Sequence, residues 1–240
     1  VRVYNYNGTA WTQLGADIDG KAAEDESGYS VSLSSDGTIV AIGAWENDGS
    51  GNHAGHVRVY KFNGSAWNKL GNDIDGEAAE DYSGESVSLS SDGTTLAIGA
   101  AYNNGTVSNA GHVRVYKYDG VENTWDQLGA DIDGEAVGDR SGRSVSLSSD
   151  GTIVAIGAYR NDGSFSNAGH VIVYKFNGTA WNKLGNDIDG EAAGDLSGRS
   201  VSLSSDGTTV AIGAYYSDGS FSDAGHVRVY NLVNANAPVA

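Results

Sequence analysis

Short runs in which apolar and polar residues alternate recur along the chain. In one of them, Val57 to Phe62 alternates with a period of two, and Asn63-Gly64 precedes the next run. Further on, Ser86 to Ser90 alternates, Asp92-Gly93 follows, and Thr95 to Ala100 runs back. Alternation predicts half-buried strands, and Asn-Gly or Asp-Gly between two of them predicts a two-residue type I′ turn. The same turn is predicted at three equivalent places: Asn7-Gly8, Asp119-Gly120 and Asn177-Gly178.

The second pair of strands predicts how neighbouring sheets pack. One face carries large residues, namely Val87, Leu89, Leu96 and Ile98, and the other carries small ones, namely Ser88, Ala97 and Gly99. Large residues opposed by small ones allow twisted sheets to stack face to face at about 10 Å. Each four-stranded unit therefore needs a neighbour on both faces.

The whole pattern repeats with a period of 56 to 58 residues. The repeats are residues 1–56, 57–112, 113–170 and 171–226, followed by a surplus strand at 227–232 and a C-terminal tail or linker at 233–240. Repeats of this length with four short strands predict an all-β fold, a β-propeller made of four-stranded antiparallel blades in one domain over 1–232. A linear β-solenoid is the alternative.

The number of blades stays open at this stage. The chain has no Met and opens at Val1 within a repeat, which favours a piece of a longer protein. The surplus strand would leave an unpaired edge in a closed four-bladed ring, and proteins avoid such edges. A segment of a larger propeller or array is therefore expected, with a closed four-bladed ring as the alternative.

Charge and motifs exclude several function classes. The net charge is −17, which repels phosphate backbones and anionic lipid surfaces, so nucleic acid binding is not expected. No apolar run approaches the roughly 20 residues of a membrane span, so membrane insertion is not expected either. There is no Cys, and no nucleophile elbow, phosphate loop or zinc-protease motif is present. Paired acids recur in every repeat, whereas an active site usually breaks the symmetry of its scaffold. The sequence therefore predicts a protein that is not an enzyme.

Three consecutive blocks in each repeat resemble a known family. In the second repeat they are Ser83 to Leu89, Leu96 to Ala100 and Gly111 to Tyr116. Across the whole chain these blocks are similar to the FG-GAP repeat of integrin-α-type propellers and their microbial and algal relatives. The resemblance implies a seven-bladed propeller in a secreted or cell-surface adhesion protein. Two departures are that Ser-Gly replaces Phe-Gly and that the calcium loop of the family is shortened to Ser-Ser-Asp-Gly.

An acidic loop follows the last strand of each repeat. Its carboxylates are spaced so that they could converge on Ca²⁺, which takes six to eight oxygen ligands. The candidate ligands are Asp17, Asp19 and Asp25; Asp73, Asp75, Glu77 and Asp81; Asp131, Asp133, Glu135 and Asp139; and Asp187, Asp189, Glu191 and Asp195. The alternative is that these acids cap turns, while Ile74 and its equivalents anchor the loops in the core.

Other residues recur at equivalent places. Each repeat has two long loops on the same rim, the acidic loop and an Asn/Gly/Ser-rich loop such as 102–109. Aromatic residues on this rim are candidates for ligand binding: Tyr102, Tyr159, Phe165, Tyr215 and Phe221. Four Asn residues satisfy the N-glycosylation pattern: Asn7, Asn63, Asn104 and Asn177. The histidines that precede a strand are expected to be structural, hydrogen-bonding residues: His56, His112, His170 and His226.

Two functional hypotheses follow. The first is a non-enzymatic extracellular binding or adhesion module that recognises glycan or protein through its long loops, with possible assistance from calcium. The second is a structural building block of an extracellular filament or surface layer, which pairs with other copies of itself through open edges at Val1 to Tyr4 and Val227 to Tyr230.

Overall fold

A computed structural model describes residues 1–105, 107–218 and 221–232, and every regular element longer than one residue in these ranges is a β-strand. The strands are β1 (Tyr4–Tyr6), β2 (Trp11–Gln13), β3 (Ser30–Leu33), β4 (Ile39–Ala44), β5 (His56–Phe62), β6 (Trp67–Lys69), β7 (Ile74–Asp75), β8 (Ser86–Leu89), β9 (Thr95–Ala100), β10 (His112–Asp119), β11 (Thr124–Gln127), β12 (Ile132–Asp133), β13 (Ser141–Leu147), β14 (Ile153–Ala158), β15 (His170–Phe176), β16 (Trp181–Lys183), β17 (Ile188–Asp189), β18 (Ser200–Leu203), β19 (Thr209–Ala214) and β20 (His226–Asn231). The predicted tail at 233–240 lies outside the described residues.

The strands form successive antiparallel sheets in chain order. Blade 1 is β3-β4-β5-β6, blade 2 is β8-β9-β10-β11, blade 3 is β13-β14-β15-β16 and blade 4 is β18-β19-β20, while β1 and β2 form an N-terminal hairpin. The short strands β7, β12 and β17 pair with the third strand of blades 1, 2 and 3. The first strands of neighbouring blades contact one another, so they form the inner side of the array. This architecture confirms the predicted all-β propeller of four-stranded antiparallel blades.

The core lies between blades, as the alternation of large and small residues predicts. Ala41, Val57 and Val59 of blade 1 pack against Leu89 and the other large residues on the facing side of blade 2. The same contact recurs between blades 2 and 3. At the two ends of the array the corresponding faces are exposed: Val31 and Leu33 on blade 1, and Val227 and Val229 on blade 4.

The predicted two-residue type I′ turns are wrong. At the Asn-Gly sites, Gly8, Gly64 and Gly178 have positive φ but the preceding asparagines do not, as a type I′ turn would require. Four residues form each loop; in the first, the Asn7 Oδ1 accepts the amide protons of Thr9 and Ala10. At Asp119-Gly120 the loop is also longer, because Asp119 pairs with Thr124. The Asn side chain therefore shapes the turn through hydrogen bonds.

The tryptophan of each fourth strand ties one repeat to the preceding one. The indole Nε1 of Trp125 donates a hydrogen bond of 2.9 Å to the Leu70 carbonyl oxygen, and Trp67 and Trp181 make the equivalent bond. Trp125 is buried, whereas Trp11 is 68% exposed. The recurrent tryptophans between blades are therefore packing residues.

We expect Trp125→Phe to lower the free energy of unfolding by about 1 to 2 kcal/mol, because it removes one buried hydrogen bond and part of the packed ring. Trp11→Phe is the matched control and should change stability by less than about 0.5 kcal/mol. Urea unfolding followed by circular dichroism checks both variants. Equal effects at the two positions would contradict the role of the indole bond.

Candidate functional site

At one position of the repeat the residue differs in size and charge between repeats. The motif Ser-Gly-X-Ser stands at the start of every first strand, and X is Tyr29, Glu85, Arg143 or Arg199. These four residues lie on the inner side of the array, on the rim that carries the long loops. The Arg143 Nη2 donates to the Tyr29 hydroxyl oxygen across 3.4 Å, so side chains of blades 1 and 3 meet there.

Glu85 is buried in this region and pairs with an arginine. Its Oε1 lies 3.2 Å from Nη1 of Arg143, and Glu85 is only 5% exposed. Burial raises the pKa of the Glu85 carboxyl, and the charges of Arg143 and Arg140 partly oppose that rise. Among the described residues no group forms a hydrogen bond to the other oxygen, Oε2. A buried carboxylate oxygen without a partner is uncommon and is a candidate for contact with a ligand.

Aromatic rings extend from this pair along the rim. Tyr29 stacks on Trp45 at 4.6 Å between ring centroids, Trp45 contacts Tyr82 at 5.1 Å, and Tyr82 contacts Tyr102 at 5.0 Å. The guanidinium of Arg140 lies 3.7 Å from the centroid of the Tyr102 ring. This close stacking fixes the position of a positive charge beside the aromatic surface.

A second aromatic centre carries two more arginines. The guanidinium carbons of Arg199 and Arg160 lie 5.0 Å and 5.4 Å from the centroid of the Tyr159 ring. Burial raises the pKa of Tyr159, so its hydroxyl stays protonated well above neutral pH. The Arg199 Nη1 is buried, and no described group bonds it. We call the whole set the inner-rim cluster: Tyr29, Trp45, Tyr82, Glu85, Tyr102, Arg140, Arg143, Tyr159, Arg160 and Arg199.

The charge of this cluster differs from that of the chain as a whole. The chain carries a net charge of −17, yet four of its eight arginines lie in the inner-rim cluster. Arginine donates paired hydrogen bonds that match carboxylate and phosphate groups, and aromatic faces suit sugar rings. The cluster can therefore bind a sugar derivative that carries negative charge.

The aromatic residues predicted to bind a ligand divide into two groups. Tyr102 and Tyr159 belong to the inner-rim cluster. Tyr215 instead contacts its neighbour Tyr216 at 4.2 Å between ring centroids, and Phe165 and Phe221 are exposed. The sequence analysis did not predict Glu85 or the four arginines of the cluster. For Glu85, Arg143 and Arg199 the signal was the variation of one repeat position, and Arg140 and Arg160 stand at two other positions that vary between repeats.

The structure does not bring the four acids of any one loop together. The last acid of each loop is buried and accepts a hydrogen bond from the backbone amide three residues earlier: Asp25 from Ala22, Asp81 from Ala78, Asp139 from Ala136 and Asp195 from Ala192. Asn47 and Asn161 also donate to Asp25 and Asp139. These four acids therefore cap turns in their loops, as the alternative to calcium binding proposed.

Most of the remaining acids have nearby cations or histidines. Asp17 pairs with Arg2, Asp73 with Lys21 and Lys69, and Glu191 with Arg228. The backbone carbonyl of Asp19 accepts a hydrogen bond from Arg58. Asp75, Asp133 and Asp189 lie opposite His56, His112 and His170 in the strand register.

Two groups that could hold a metal ion combine acids of neighbouring loops with a histidine. They are Glu77, His112 and Asp131, and Glu135, His170 and Asp187. Burial, and next the charge of Arg114, lowers the pKa of His112 to about 4. The expectation that these histidines are hydrogen-bonding residues is wrong for His56, because no described group bonds either of its ring nitrogens.

The predicted glycosylation residues lie in loops. Asn7, Asn63 and Asn177 lie in the exposed four-residue loops, where each side chain accepts backbone hydrogen bonds. The Asn104 Oδ1 accepts the amide proton of Asn109, and Thr106 of the same pattern lies outside the described residues. Modification of these residues stays a prediction. In the described part of the chain we find no helix that is long and apolar enough to cross a membrane.

Comparisons with known proteins show what the chain resembles. No protein-family model and no curated protein matches it. A periplasmic gluconolactonase from Pseudomonas aeruginosa matches with a TM-score of 0.62 and 16% identity over 99% of this chain. A candidate 6-phosphogluconolactonase from Bacteroides uniformis matches with a TM-score of 0.56 and 14% identity over 93% of this chain. The chain covers 61% and 56% of these two proteins.

These findings contradict four predictions. The assignment to the FG-GAP family is wrong, because no family model matches and the similar structures are lactonase propellers. Ser-Gly in place of Phe-Gly and the shortened calcium loop agree with this correction. The non-enzymatic adhesion module, its structural-filament alternative and the expectation of no enzyme are also wrong, since the similar structures bear the names of enzymes. At this level of identity the comparisons show the fold alone.

Proposed function

We propose that the inner-rim cluster binds and opens a sugar lactone, and that the chain is part of a lactone hydrolase. The observation that carries the proposal is the buried pair of Glu85 and Arg143, with an unbonded carboxylate oxygen and further arginines beside it. The names of the two similar structures support a sugar lactone as the substrate class. Because the chain covers only 61% and 56% of those proteins, the activity of the whole protein is part of the proposal.

The chemistry requires a base and a site for negative charge. In its ionised form Glu85 takes a proton from water as the water oxygen attacks the lactone carbonyl carbon. The bond between that carbon and the ring oxygen then breaks, and the proton passes to the ring oxygen to give a hydroxy acid. Arg143 stabilises the negative charge that develops on the carbonyl oxygen, because a fixed cation favours the charged transition state.

The remaining residues of the cluster contribute to binding. Tyr29 and Trp45 offer aromatic surface to the sugar ring, and Arg199 offers a charged donor that no described group uses. Arginine suits both the carboxylate of the product and a phosphate substituent on the substrate. The glycan partner expected from the sequence becomes, in this proposal, a sugar-derived substrate.

The location that fits this proposal is outside the cytoplasm. The gluconolactonase of Pseudomonas aeruginosa is periplasmic by name, and this supports a similar location for the present chain. We propose a secreted or periplasmic protein, without the adhesion role that the sequence suggested.

Calcium stays a prediction for the acidic loops. The structure contains groups that could hold a metal ion, and calcium would be bound through their carboxylates alone, because this ion takes oxygen ligands. A higher melting temperature in millimolar Ca²⁺ than in chelator would support calcium binding by these loops. If the melting temperature is the same in both conditions, calcium is not a ligand of this protein.

The proposed activity is tested by ring opening of gluconolactone and of its 6-phosphate, followed as acid release above the spontaneous rate. We expect the chain to accelerate the reaction, and Arg199→Met to raise KM by about tenfold through loss of a charged contact to the substrate. Arg2→Met, at an exposed ion pair far along the chain, is the control and should leave KM unchanged. No acceleration by the wild-type chain would contradict the proposed function.

A further inference from the structure

The contact between blades 1 and 2 brings together three metal-ligating side chains. His112 opens β10, Asp131 precedes β12, and Glu77 follows β7. The His112 Nδ1 lies 3.9 Å from the Asp131 Oδ2 and 4.0 Å from the Glu77 Oε2. The three atoms all lie within 4.8 Å of one another, so one ion could contact all of them.

The imidazole gives independent support for a ligand at this place. His112 is 1% exposed, and no group in the described chain forms a hydrogen bond with its Nδ1. A buried polar atom nearly always has a partner, because desolvation without one is unfavourable. The unbonded nitrogen faces the two carboxylates at distances too long for hydrogen bonds, which is the arrangement expected when an ion lies between them.

The observed separations suit a metal after small side-chain movements. Metal–ligand bonds of about 2.0 to 2.2 Å place neighbouring ligand atoms about 3.0 to 3.5 Å apart, depending on the coordination geometry. The carboxylates must therefore move inward by about 0.5 to 1 Å. The side chains of Glu77 and Asp131 are 45% and 32% exposed, so they can make this movement while the buried imidazole stays fixed.

The neighbouring contacts of the array place lysine beside the equivalent acids. At the contact between the N-terminal hairpin and blade 1, Lys21 occupies the place of Glu77, and the Lys21 Nζ lies 3.1 Å from the Asp73 Oδ2. Lys69 adds an ammonium group 2.8 Å from the Asp73 Oδ1. At the contact between blades 2 and 3, Lys183 contacts both Glu135 and Asp187.

At the contact between blades 1 and 2, no lysine among the described residues pairs with Glu77 or Asp131. Gln127 occupies the place of Lys69 and Lys183, and its Nε2 donates to the Asp131 Oδ1 at 2.6 Å. The Arg114 Nη1 lies 3.4 Å from the Glu77 Oε1, which leaves the Oε2 directed at His112. The contact between blades 1 and 2 therefore combines an unbonded imidazole nitrogen with two carboxylates that no described lysine pairs with.

We propose that Glu77, His112 and Asp131 bind one divalent cation of the zinc or manganese class, which joins the loops of blades 1 and 2. A set of one imidazole nitrogen and two carboxylate oxygens suits these metals, whereas calcium takes oxygen ligands. The site lies at the outer strands and is separate from the inner-rim cluster, so its role is structural and independent of the proposed hydrolysis.

The test measures metal binding by the full chain after treatment with chelator. Isothermal titration with Zn²⁺, Mn²⁺ and Ca²⁺ should give one equivalent of Zn²⁺ or Mn²⁺, and the melting temperature should rise with metal concentration. Glu77→Gln and Asp131→Asn should weaken binding at least tenfold. Glu135→Gln, at the contact that contains Lys183, is the matched control. This variant should still bind one equivalent of Zn²⁺ or Mn²⁺.

A fourth variant tests the site without removing a ligand. Gln127→Lys places an ammonium group where Lys69 and Lys183 stand, so it should abolish metal binding while the metal-free protein melts no lower than the wild type. The proposal is overturned by an absence of saturable Zn²⁺ or Mn²⁺ binding, by preferential binding of Ca²⁺, or by the same stoichiometry in Glu77→Gln. Lactone hydrolysis does not enter these measurements.

Discussion

Gly99→Ala is expected to lower the free energy of unfolding by about 3 kcal/mol or more. A Cβ at Gly99 would lie 1.9 Å from the Gly142 carbonyl oxygen and 2.4 Å from the Ser86 Oγ. The Ser86 hydroxyl donates to that same carbonyl at 2.7 Å, so the new methyl group would also break the bond between blades. Overpacking of a tight interior costs about 1 to 3 kcal/mol, and rigid backbone raises the cost.

The repeats provide two matched controls for this prediction. Gly213 occupies the same strand position in blade 4, where a Cβ would come within 3 Å of only the movable Ser200 Oγ, at 2.4 Å. Gly213→Ala should therefore destabilise less than Gly99→Ala. At Gly120 the nearest atom is 3.7 Å away, and the alanine variant should change stability by less than about 0.5 kcal/mol. Urea unfolding measures all three, and equal effects at Gly99 and Gly213 would show that the facing carbonyl is unimportant.

The sequence predicted the strands well because their physical cause is local. Alternation placed large residues such as Leu96 on one face and small ones such as Gly99 on the other, and the structure packs these faces against neighbouring blades. Ile74 was expected to anchor an acidic loop, and it is buried in β7. These features depend on side-chain size and period, which a single repeat already contains.

The turns and the candidate site could not be predicted in the same way. Turn type at Asn7-Gly8 depends on backbone angles that the side-chain hydrogen bonds of Asn7 select, and the dipeptide alone does not specify them. The pair of Glu85 and Arg143 joins residues of different blades and depends on how the blades are arranged around the inner side. Glu85 and Arg143 stand at a repeat position whose residue differs between repeats, so the recurrent pattern does not predict them.

Loss of activity in Glu85→Gln would be the largest functional effect. The amide keeps the size of the side chain but cannot take a proton from water, and removal of a general base lowers rates by about 10² to 10⁴. We expect kcat to fall by that factor in the lactone assay, while KM changes little. Glu24→Gln, an exposed residue of the same rim, is the control and should keep full activity.

The pH dependence of kcat/KM distinguishes a catalytic role of the Glu85 carboxylate as a base from a purely structural role. Burial raises the pKa of Glu85, so protonation removes the base at a higher pH than for an exposed glutamate. The wild-type kcat/KM should therefore decline as the pH falls through this raised pKa. The residual kcat/KM of Glu85→Gln should not show this decline on the acidic side. Because the substitution also leaves Arg143 without its partner, the melting temperature is measured alongside. A folded Glu85→Gln with wild-type kcat would assign the proton transfer to another group.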